Sequence, residues 1–188
     1  MTVVALVLAA GQGSRFGADK RRATLPDGRS LLAHSVERAL AVFDEVRVVL
    51  RDGERAEDFG LPPGCHVIHS PDAALGMGHS LAAGAASLQG SDAKAVAILL
   101  GDMPWIAPAT LRVLADAAGA STILFPIHDG QRGHPVLFGR EFWPALTQLS
   151  GDEGARTVVQ AQRDRCITLD VADAGVLRDV DTPAGLLW

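Results

Sequence analysis

The chain begins with an apolar run, Val3-Val4-Ala5-Leu6-Val7, that leads directly into Leu8-Ala9-Ala10-Gly11-Gln12-Gly13-Ser14-Arg15-Phe16-Gly17-Ala18-Asp19-Lys20. A run without polar residues is typical of a strand that is buried on both faces. The loop behind it offers backbone N–H groups at close range, because glycine lacks the Cβ that would keep a ligand away. Arg15 and Lys20 add two cations. The segment therefore predicts a buried strand that opens into a phosphate-binding loop.

Two familiar glycine loops do not fit the pattern Gly11-x-Gly13-x-x-x-Gly17. A dinucleotide fingerprint starts a helix at its glycines, with an acidic residue about 20 positions on. Here Pro26 and Asp27-Gly28 intervene, and the first helix is predicted only near Leu31. A Walker A loop needs Gly before its lysine and Ser or Thr after it, and Lys20 has neither. Two hypotheses remain: a long loop that wraps a nucleoside triphosphate, and a glycine-rich turn with solvated charges.

Composition limits the function classes. The chain has 188 residues, 48% of them hydrophobic and 21% charged, which predicts a single domain over residues 1–188. A net charge of −5 disfavours nucleic acid and anionic membranes as partners. The sequence shows neither a spanning apolar stretch nor a secretory leader, so we expect a cytoplasmic protein. Cys65 and Cys166 lie far apart in strand-like segments, which favours two reduced thiols.

Short apolar runs alternate with helical patterns along the chain, which predicts an α/β fold with a mainly parallel sheet. Strands are predicted at Val3–Ala9, Val46–Leu50, His66–His69, Ala95–Leu100, Ser121–Ile127, Pro135–Phe138 and Cys166–Asp170. Helices are predicted at Leu31–Leu40 with Ser30 as N-cap, at Ser80–Leu88, Pro108–Ala118 and Asp152–Gln162, and from Pro183. Ligands of such sheets bind beyond the carboxyl ends of the strands, so loops 10–20, 70–79 and 101–105 should share one side.

Two acidic stretches are candidates for a metal site. Asp102 follows an apolar strand in Leu99-Leu100-Gly101-Asp102-Met103-Pro104, and Asp181 lies in Asp179-Val180-Asp181-Thr182-Pro183. Mg²⁺ prefers one or two carboxylates together with phosphate and water oxygens. Asp102 could instead cap the next turn, and Asp181 could cap a helix at Pro183. One metal held by both aspartates would explain the two stretches together.

Two further residues have a functional and a structural interpretation. His134 enters a predicted strand in Arg132-Gly133-His134-Pro135, where a single histidine is more often a structural residue than a catalyst. Arg156 follows the turn Gly151-Asp152-Glu153-Gly154-Ala155 and opens a predicted helix. A helix N-terminus attracts anions, so Arg156 could reach a phosphate, or it could simply be an exposed arginine.

Six of these stretches, in the same order, resemble the motifs of the MobA-like nucleotidyltransferase family. The segment from Leu8 to Lys20 matches the family pattern L-A-(A/G)-G-x-(G/S)-x-R-(M/F)-G-x-x-K. The other matching stretches are Gly76-Met77-Gly78-His79-Ser80-Leu81, Gly101-Asp102-Met103-Pro104, Arg132-Gly133-His134-Pro135-Val136-Leu137-Phe138, Gly151-Asp152-Glu153-Gly154-Ala155-Arg156 and Asp179-Val180-Asp181-Thr182-Pro183. They cover nearly the whole chain.

The resemblance implies a Rossmann-like three-layer α/β fold with a mainly parallel mixed sheet and a Mg²⁺ cofactor. The implied reaction transfers CMP from CTP to a phosphorylated acceptor, molybdopterin or molybdenum cofactor, and releases pyrophosphate. Ala10 favours the cytidylyltransferases of this family, since guanylyl members usually carry glycine there. A guanylyltransferase using GTP, a cytidylyltransferase of another small phosphorylated alcohol, and a nucleotide- or pterin-binding module remain alternatives. A molybdoenzyme or its chaperone would be the protein partner.

The resemblance also implies residue roles. Arg15, Lys20 and Asp102 would be catalytic, with Arg15 at the leaving pyrophosphate and Lys20 near the α-phosphate. Asp102 and Asp181 would hold Mg²⁺, with Asp179 as the alternative to Asp181, and His134 and Arg156 would bind the acceptor. The nucleotide would contact Leu8, Ala9, Ala10, Gly11, Gly13, Arg15, Lys20, Asp72 and Ser80, the last two at the base edge. Arg21, Arg22 and His79 depart from the family pattern, and we expect them to bear on the acceptor.

Overall fold

The computed structural model describes residues 2–13 and 16–187. Its strands are β1 (Val3–Leu8), β2 (Val46–Arg51), β3 (Cys65–Ser70), β4 (Ala95–Leu100), β5 (Ile123–His128), β6 (Gln131–Arg132), β7 (Val136–Gly139) and β8 (Cys166–Asp170). They form one sheet in the order β3-β2-β1-β4-β7-β5-β6, with β8 beside β5. Strands β3, β2, β1 and β4 are parallel, as are β5 and β8, whereas β7 and β6 run antiparallel to their neighbours. The predicted mainly parallel mixed sheet is confirmed.

The position of β1 decides where ligands can bind. All six of its residues are buried, and it lies between β2 and β4. In the pairing with β4, Leu8 is in register with Leu100, so the two strands end level with each other. The loops that follow these strands, which begin at Ala9 and Gly101, therefore leave the sheet side by side, as the sequence predicted.

The helices are α1 (Leu31–Leu40), α2 (Met77–Ala86), α3 (Pro108–Ala117), α4 (Trp143–Leu146) and α5 (Arg156–Ala161). Ser30 caps α1 by accepting a hydrogen bond from the Ala33 amide, as predicted. The predicted start of α5 at Asp152 is wrong, because Gly151 and Gly154 have φ angles of 73° and 57° and form turns there. Residues Pro183–Leu187 form a 3-10 helix.

Side chains on the two faces of the sheet form separate cores, which makes the fold three-layered. Ala5 and Val7 pack with residues of α1 and α3. Leu6 and Leu8 point the opposite way and pack with residues of α2, α4 and α5. The alternation follows from the period of two along a strand. The chain therefore has the Rossmann-like three-layer fold that the sequence predicted.

No helix within residues 2–13 and 16–187 is long and apolar enough to cross a membrane. The two cysteines, Cys65 and Cys166, are free and partly buried. Burial raises the pKa of each thiol above the ordinary value for cysteine, so both thiols are protonated at neutral pH.

Arg21 ties the first loop to the sheet. Its guanidinium is paired with Glu54 at 2.7 Å and with Asp19 at 2.8 Å. The same group donates to the Ala9 carbonyl oxygen at 2.8 Å and stacks over the Phe59 ring, 4.5 Å from its centroid. These contacts join the end of β1, the segment before α1 and the segment after β2.

The expectation that Arg21 bears on the acceptor is wrong. Arg21 is only 6% exposed, and its donors are used on groups of the protein itself. Arg22 is different, because its side chain is 55% exposed and its charge lies 5.1 Å above the Phe59 ring. An arginine at position 21 is therefore a structural feature of this chain.

Replacing Arg21 by methionine should lower the free energy of unfolding by about 2 kcal/mol. The change leaves the partly buried carboxylates of Glu54 and Asp19 without their counter-charge, which is costly even when a pair itself contributes little. The matched variant Arg22→Met should stay within about 0.5 kcal/mol of the unmodified protein. Urea unfolding of the three proteins measures both values, and equal losses in the two variants would contradict this role of Arg21.

The same pairing predicts a dependence on pH. Burial alone would raise the pKa of Glu54 and Asp19, but hydrogen bonds from Arg21 outweigh it and lower both pKa values below the ordinary 4.5 and 3.8. A carboxylate with a depressed pKa stabilises the fold at higher pH and loses that effect as pH falls through its folded pKa. The stability difference between the unmodified protein and Arg21→Met should therefore shrink from about pH 5 to about pH 3. A constant difference over this range would contradict the assignment.

Candidate active site

A first cleft of about 710 Å³ lies beyond the carboxyl ends of β1 and β4. We call it the nucleotide cleft. The predicted nucleotide residues that line it are Leu8, Ala9, Ala10, Gly11, Gly13, Lys20 and Ser80, and Asp102 lines it as well. Asp72 is exposed and is not among the lining residues. Arg15 falls outside the described residues, so its role stays a prediction.

The glycine loop has the local geometry that an anion needs. Gly13 has a φ of 59°, and a Cβ at this position would contact the aliphatic stem of Lys20 at 3.4 Å. A Cβ at Gly11 would meet nothing within 4 Å, so space remains open above the loop. Within the described part of the chain, no hydrogen bond uses the amides of Gly11, Gln12 or Gly13. These amides can therefore donate to a phosphate.

The wall opposite this loop depends on a close approach of two backbones. The Gly78 amide donates to the Gly151 carbonyl oxygen at 2.8 Å. A Cβ on Gly78 would lie 2.5 Å from the Ser150 carbonyl oxygen, so only glycine fits there. This contact brings Asp152 to the edge of the nucleotide cleft. Asp152 belongs to the motif that starts at Gly151, but nothing in the sequence predicted that it would lie beside the nucleotide loop.

The two acidic stretches meet at the nucleotide cleft. Carboxylate oxygens of Asp102, Asp179 and Asp181 lie within 4.8 Å of one another. A backbone hydrogen bond holds the two stretches together, because the Val180 amide donates to the Asp102 carbonyl oxygen at 2.8 Å. Burial, and then the negative charges of Asp181 and Asp102, raise the pKa of Asp179. The structure thus brings Asp102 and Asp181 together, and it adds Asp179 to the pair that the sequence favoured.

Lys20 supplies the counter-charge to these carboxylates. Its Nζ atom lies 2.8 Å from Asp102 Oδ2, 3.1 Å from the Val180 carbonyl oxygen and 3.8 Å from Asp181 Oδ1. A cluster of oxygen ligands that already attracts an ammonium ion fits a hard divalent cation such as Mg²⁺ or Mn²⁺. Lys20 therefore lies where it can contact both the metal ligands and a phosphate bound by the glycine loop.

A second cleft, also of about 710 Å³, lies beside the first and shares Leu8, Met77 and Leu100 with it. We call it the acceptor cleft. Much of its wall is apolar and includes Ile98, Phe125, Val136, Phe138 and Val159. Its polar lining residues are Arg132, His134, Arg156, Gln160 and Arg163. His134 and Arg156 were predicted for the acceptor, whereas Gln160 and Arg163 carry no sequence signal that could have found them.

Two residues of the acceptor cleft are held in place by the protein. The His134 amide donates to the Val176 carbonyl oxygen at 2.9 Å. Burial lowers the pKa of the His134 side chain, and the nearby Asp102 carboxylate opposes this only in part, so the imidazole is neutral at pH 7. The Arg132 guanidinium stacks over the Phe125 ring, 4.5 Å from its centroid. His79, which was expected to bear on the acceptor, lines neither cleft.

Comparison with known sequences agrees with this geometry. A family model described as the MobA-like NTP transferase domain matches residues 5–166. The purine catabolism protein PucB of Bacillus subtilis is 30% identical over 96% of this chain and 92% of its own length. The molybdenum cofactor cytidylyltransferase of Escherichia coli K12 is 28% identical over 95% and 90%, respectively. The bifunctional protein GlmU of Dinoroseobacter shibae is 37% identical, but this chain spans only 39% of its length.

Solved structures show the same fold. Rv0371c from Mycobacterium tuberculosis H37Rv is 28% identical, with a TM-score of 0.83 over 100% of this chain and 97% of that one. A complex of the same protein with manganese has a TM-score of 0.78 over 98% and 96% at 27% identity. The family model covers most of the sequence, and the fold agrees over its full length. The chain therefore belongs to the MobA-like NTP transferase family and is a nucleotidyltransferase.

Proposed function

We propose that the chain transfers CMP from CTP to a phosphorylated small molecule of the molybdopterin type, with Mg²⁺ as cofactor, and releases pyrophosphate. The observation that carries this proposal is the pair of clefts that meet at the ends of β1 and β4. One cleft contains the glycine loop, Lys20 and Asp102. The other contains a neutral histidine and three arginines. Two substrates bound there would place an acceptor next to a nucleotide phosphate.

The nucleotide cleft accounts for the first half of the reaction. The amides of Gly11 to Gly13 bind the triphosphate, and Lys20 lies beside it. Asp102 and Asp181 hold the metal, which supplies positive charge for the phosphate oxygens when it is bound. The barrier to nucleotidyl transfer is dominated by charge on the α-phosphate and the leaving group, so positioned cations are the main source of rate enhancement. Arg15 would serve the leaving pyrophosphate.

The acceptor cleft accounts for the second half. A terminal phosphate is already anionic at neutral pH, so attack on the nucleotide requires no strong base. Neutral His134 can orient such a phosphate by a hydrogen bond, and Arg132, Arg156 and Arg163 can bind its charge. The apolar wall can pack against the ring faces of a heterocyclic acceptor such as a pterin, while the polar lining residues remain for its hydrogen-bonding groups.

The nucleotide preference is proposed from two observations. Ala10 lines the nucleotide cleft at the position where the sequence favoured a cytidylyltransferase. A relative that matches nearly the whole chain is named for cytidylyl transfer to molybdenum cofactor. We therefore propose CTP rather than GTP as the donor.

A pyrophosphate-release assay with CTP, GTP, Mg²⁺ and molybdenum cofactor tests the proposal. Turnover should require CTP, the metal and the cofactor together. Lys20→Ala should lower kcat by about a hundredfold, since the loss of one charge aimed at the transition state costs about 3 kcal/mol. Asp102→Ala should abolish the metal-dependent reaction. Turnover with GTP alone would reassign the donor, and normal kcat in Lys20→Ala would remove that residue from the mechanism.

The acceptor cleft is tested separately with Arg156→Gln. This change should raise the KM for the acceptor by about tenfold, because one charge-assisted contact to phosphate is lost, and should leave the KM for CTP unchanged. Arg112→Gln is the matched control, since Arg112 is an exposed arginine of α3 and lines neither cleft. An equal rise in both variants, or a rise in the KM for CTP, would place the acceptor elsewhere.

A further inference from the structure

Two arginines bind consecutive carbonyl groups of the glycine loop: Arg21, which lines the nucleotide cleft, and Arg51, which does not. Arg51, the last residue of β2, donates from Nε to the Ala10 carbonyl oxygen at 3.2 Å and from Nη2 to the Gly11 carbonyl oxygen. Arg21 donates to the Ala9 carbonyl oxygen at 2.8 Å. The carbonyls of residues 9, 10 and 11 are thus all bound by guanidinium groups.

Glu54 connects the two arginines. Its carboxylate accepts from the Arg51 amide at 2.8 Å, and from Arg21 Nη1 and Nη2 at 2.8 and 2.7 Å. The Glu54 carbonyl oxygen is in turn 2.7 Å from Nε2 of His69 on β3. The position of the arginines is therefore set by β2 and β3.

This arrangement has a consequence for anion binding. A carbonyl oxygen that faced a triphosphate would repel it, whereas carbonyls held on the outside leave the following amides to the ligand. Arg21 is paired with Asp19 and Glu54, and the positive charge of Arg51 also lowers the pKa of these two carboxylates. Arg51 is thus the second cation of this group, and it is the one that holds the Ala10 and Gly11 carbonyls.

We infer that Arg51 is a positioning residue for the nucleotide, which acts by holding the Ala10 and Gly11 carbonyls away from the triphosphate. The inference rests on the proposed function, since it needs a nucleoside triphosphate in that cleft. Arg51 itself is not among the residues that line the cleft, so its effect on binding passes through the loop.

The test is calorimetric binding of CTP in the presence of Mg²⁺ and the absence of acceptor. Arg51→Met should weaken CTP binding by about tenfold, the loss expected for charge-assisted hydrogen bonds that order a binding loop. Arg51→Lys keeps the charge but cannot bind two carbonyls at once, so it should recover only part of the affinity. Arg55→Met is the matched control from the same segment, because the Arg55 side chain is 73% exposed, and it should bind CTP like the unmodified protein.

Steady-state kinetics give the second readout. Arg51→Met should raise the KM for CTP and leave kcat and the KM for the acceptor nearly unchanged, which a general loss of structure would not do. If Arg51→Met does not fold, Arg51→Lys carries the test alone, with a several-fold weaker affinity expected. Unchanged affinity in the Arg51 variants, or an equal loss in Arg55→Met, overturns the inference. Failure of the unmodified protein to bind CTP overturns the proposed function as well.

Discussion

The parallel pairing of β1 with β4 is the constraint on which the candidate site depends. Leu8 lies in register with Leu100, and the Gly101 amide continues the ladder by donating to the Leu8 carbonyl oxygen at 3.0 Å. The Gly101 carbonyl oxygen is bound by Ser35 of α1 at 2.9 Å. The glycine loop and Asp102 therefore start from the same rigid edge, where a triphosphate can contact both. A slip by one residue would exchange the two faces of β1 and dismantle both cores.

Positively and negatively charged side chains lie close together at this edge of the sheet. The overall charge of −5 suggests an acidic surface, yet Lys20, Arg132, Arg156 and Arg163 line the two clefts. Acidic side chains lie there as well: Asp19 and Asp152 line the nucleotide cleft, and Asp102, which clusters with Asp179 and Asp181, stays 2.8 Å from Lys20. A site built for two phosphorylated substrates and a divalent cation needs both signs at close range. The net charge disfavours nucleic acid as a partner, which stays a prediction, and it carries no information about these local fields.

The sequence predicted those features that local pattern determines. Strand β4 and the capped helix α1 have the predicted bounds, because apolar periodicity and a serine N-cap are local signals. The start of α5 was wrong, since two left-handed glycines override a helical pattern. The pairing of Arg21 with Glu54 could not be predicted, because it joins segments on either side of a helix and a strand. Four statements stay predictions: the catalytic role of Arg15, the single domain over residues 1–188, the cytoplasmic location, and a molybdoenzyme or its chaperone as partner.

The most direct test of the central claim is a crystal structure with CTP and Mn²⁺, with the ion located by its anomalous scattering. One manganese peak should lie within coordination distance of the Asp102 and Asp181 carboxylates and of a nucleotide phosphate. The triphosphate should lie on the amides of Gly11 to Gly13, with the acceptor cleft left open. A manganese ion elsewhere, or a nucleotide bound in the acceptor cleft, would contradict the proposed site.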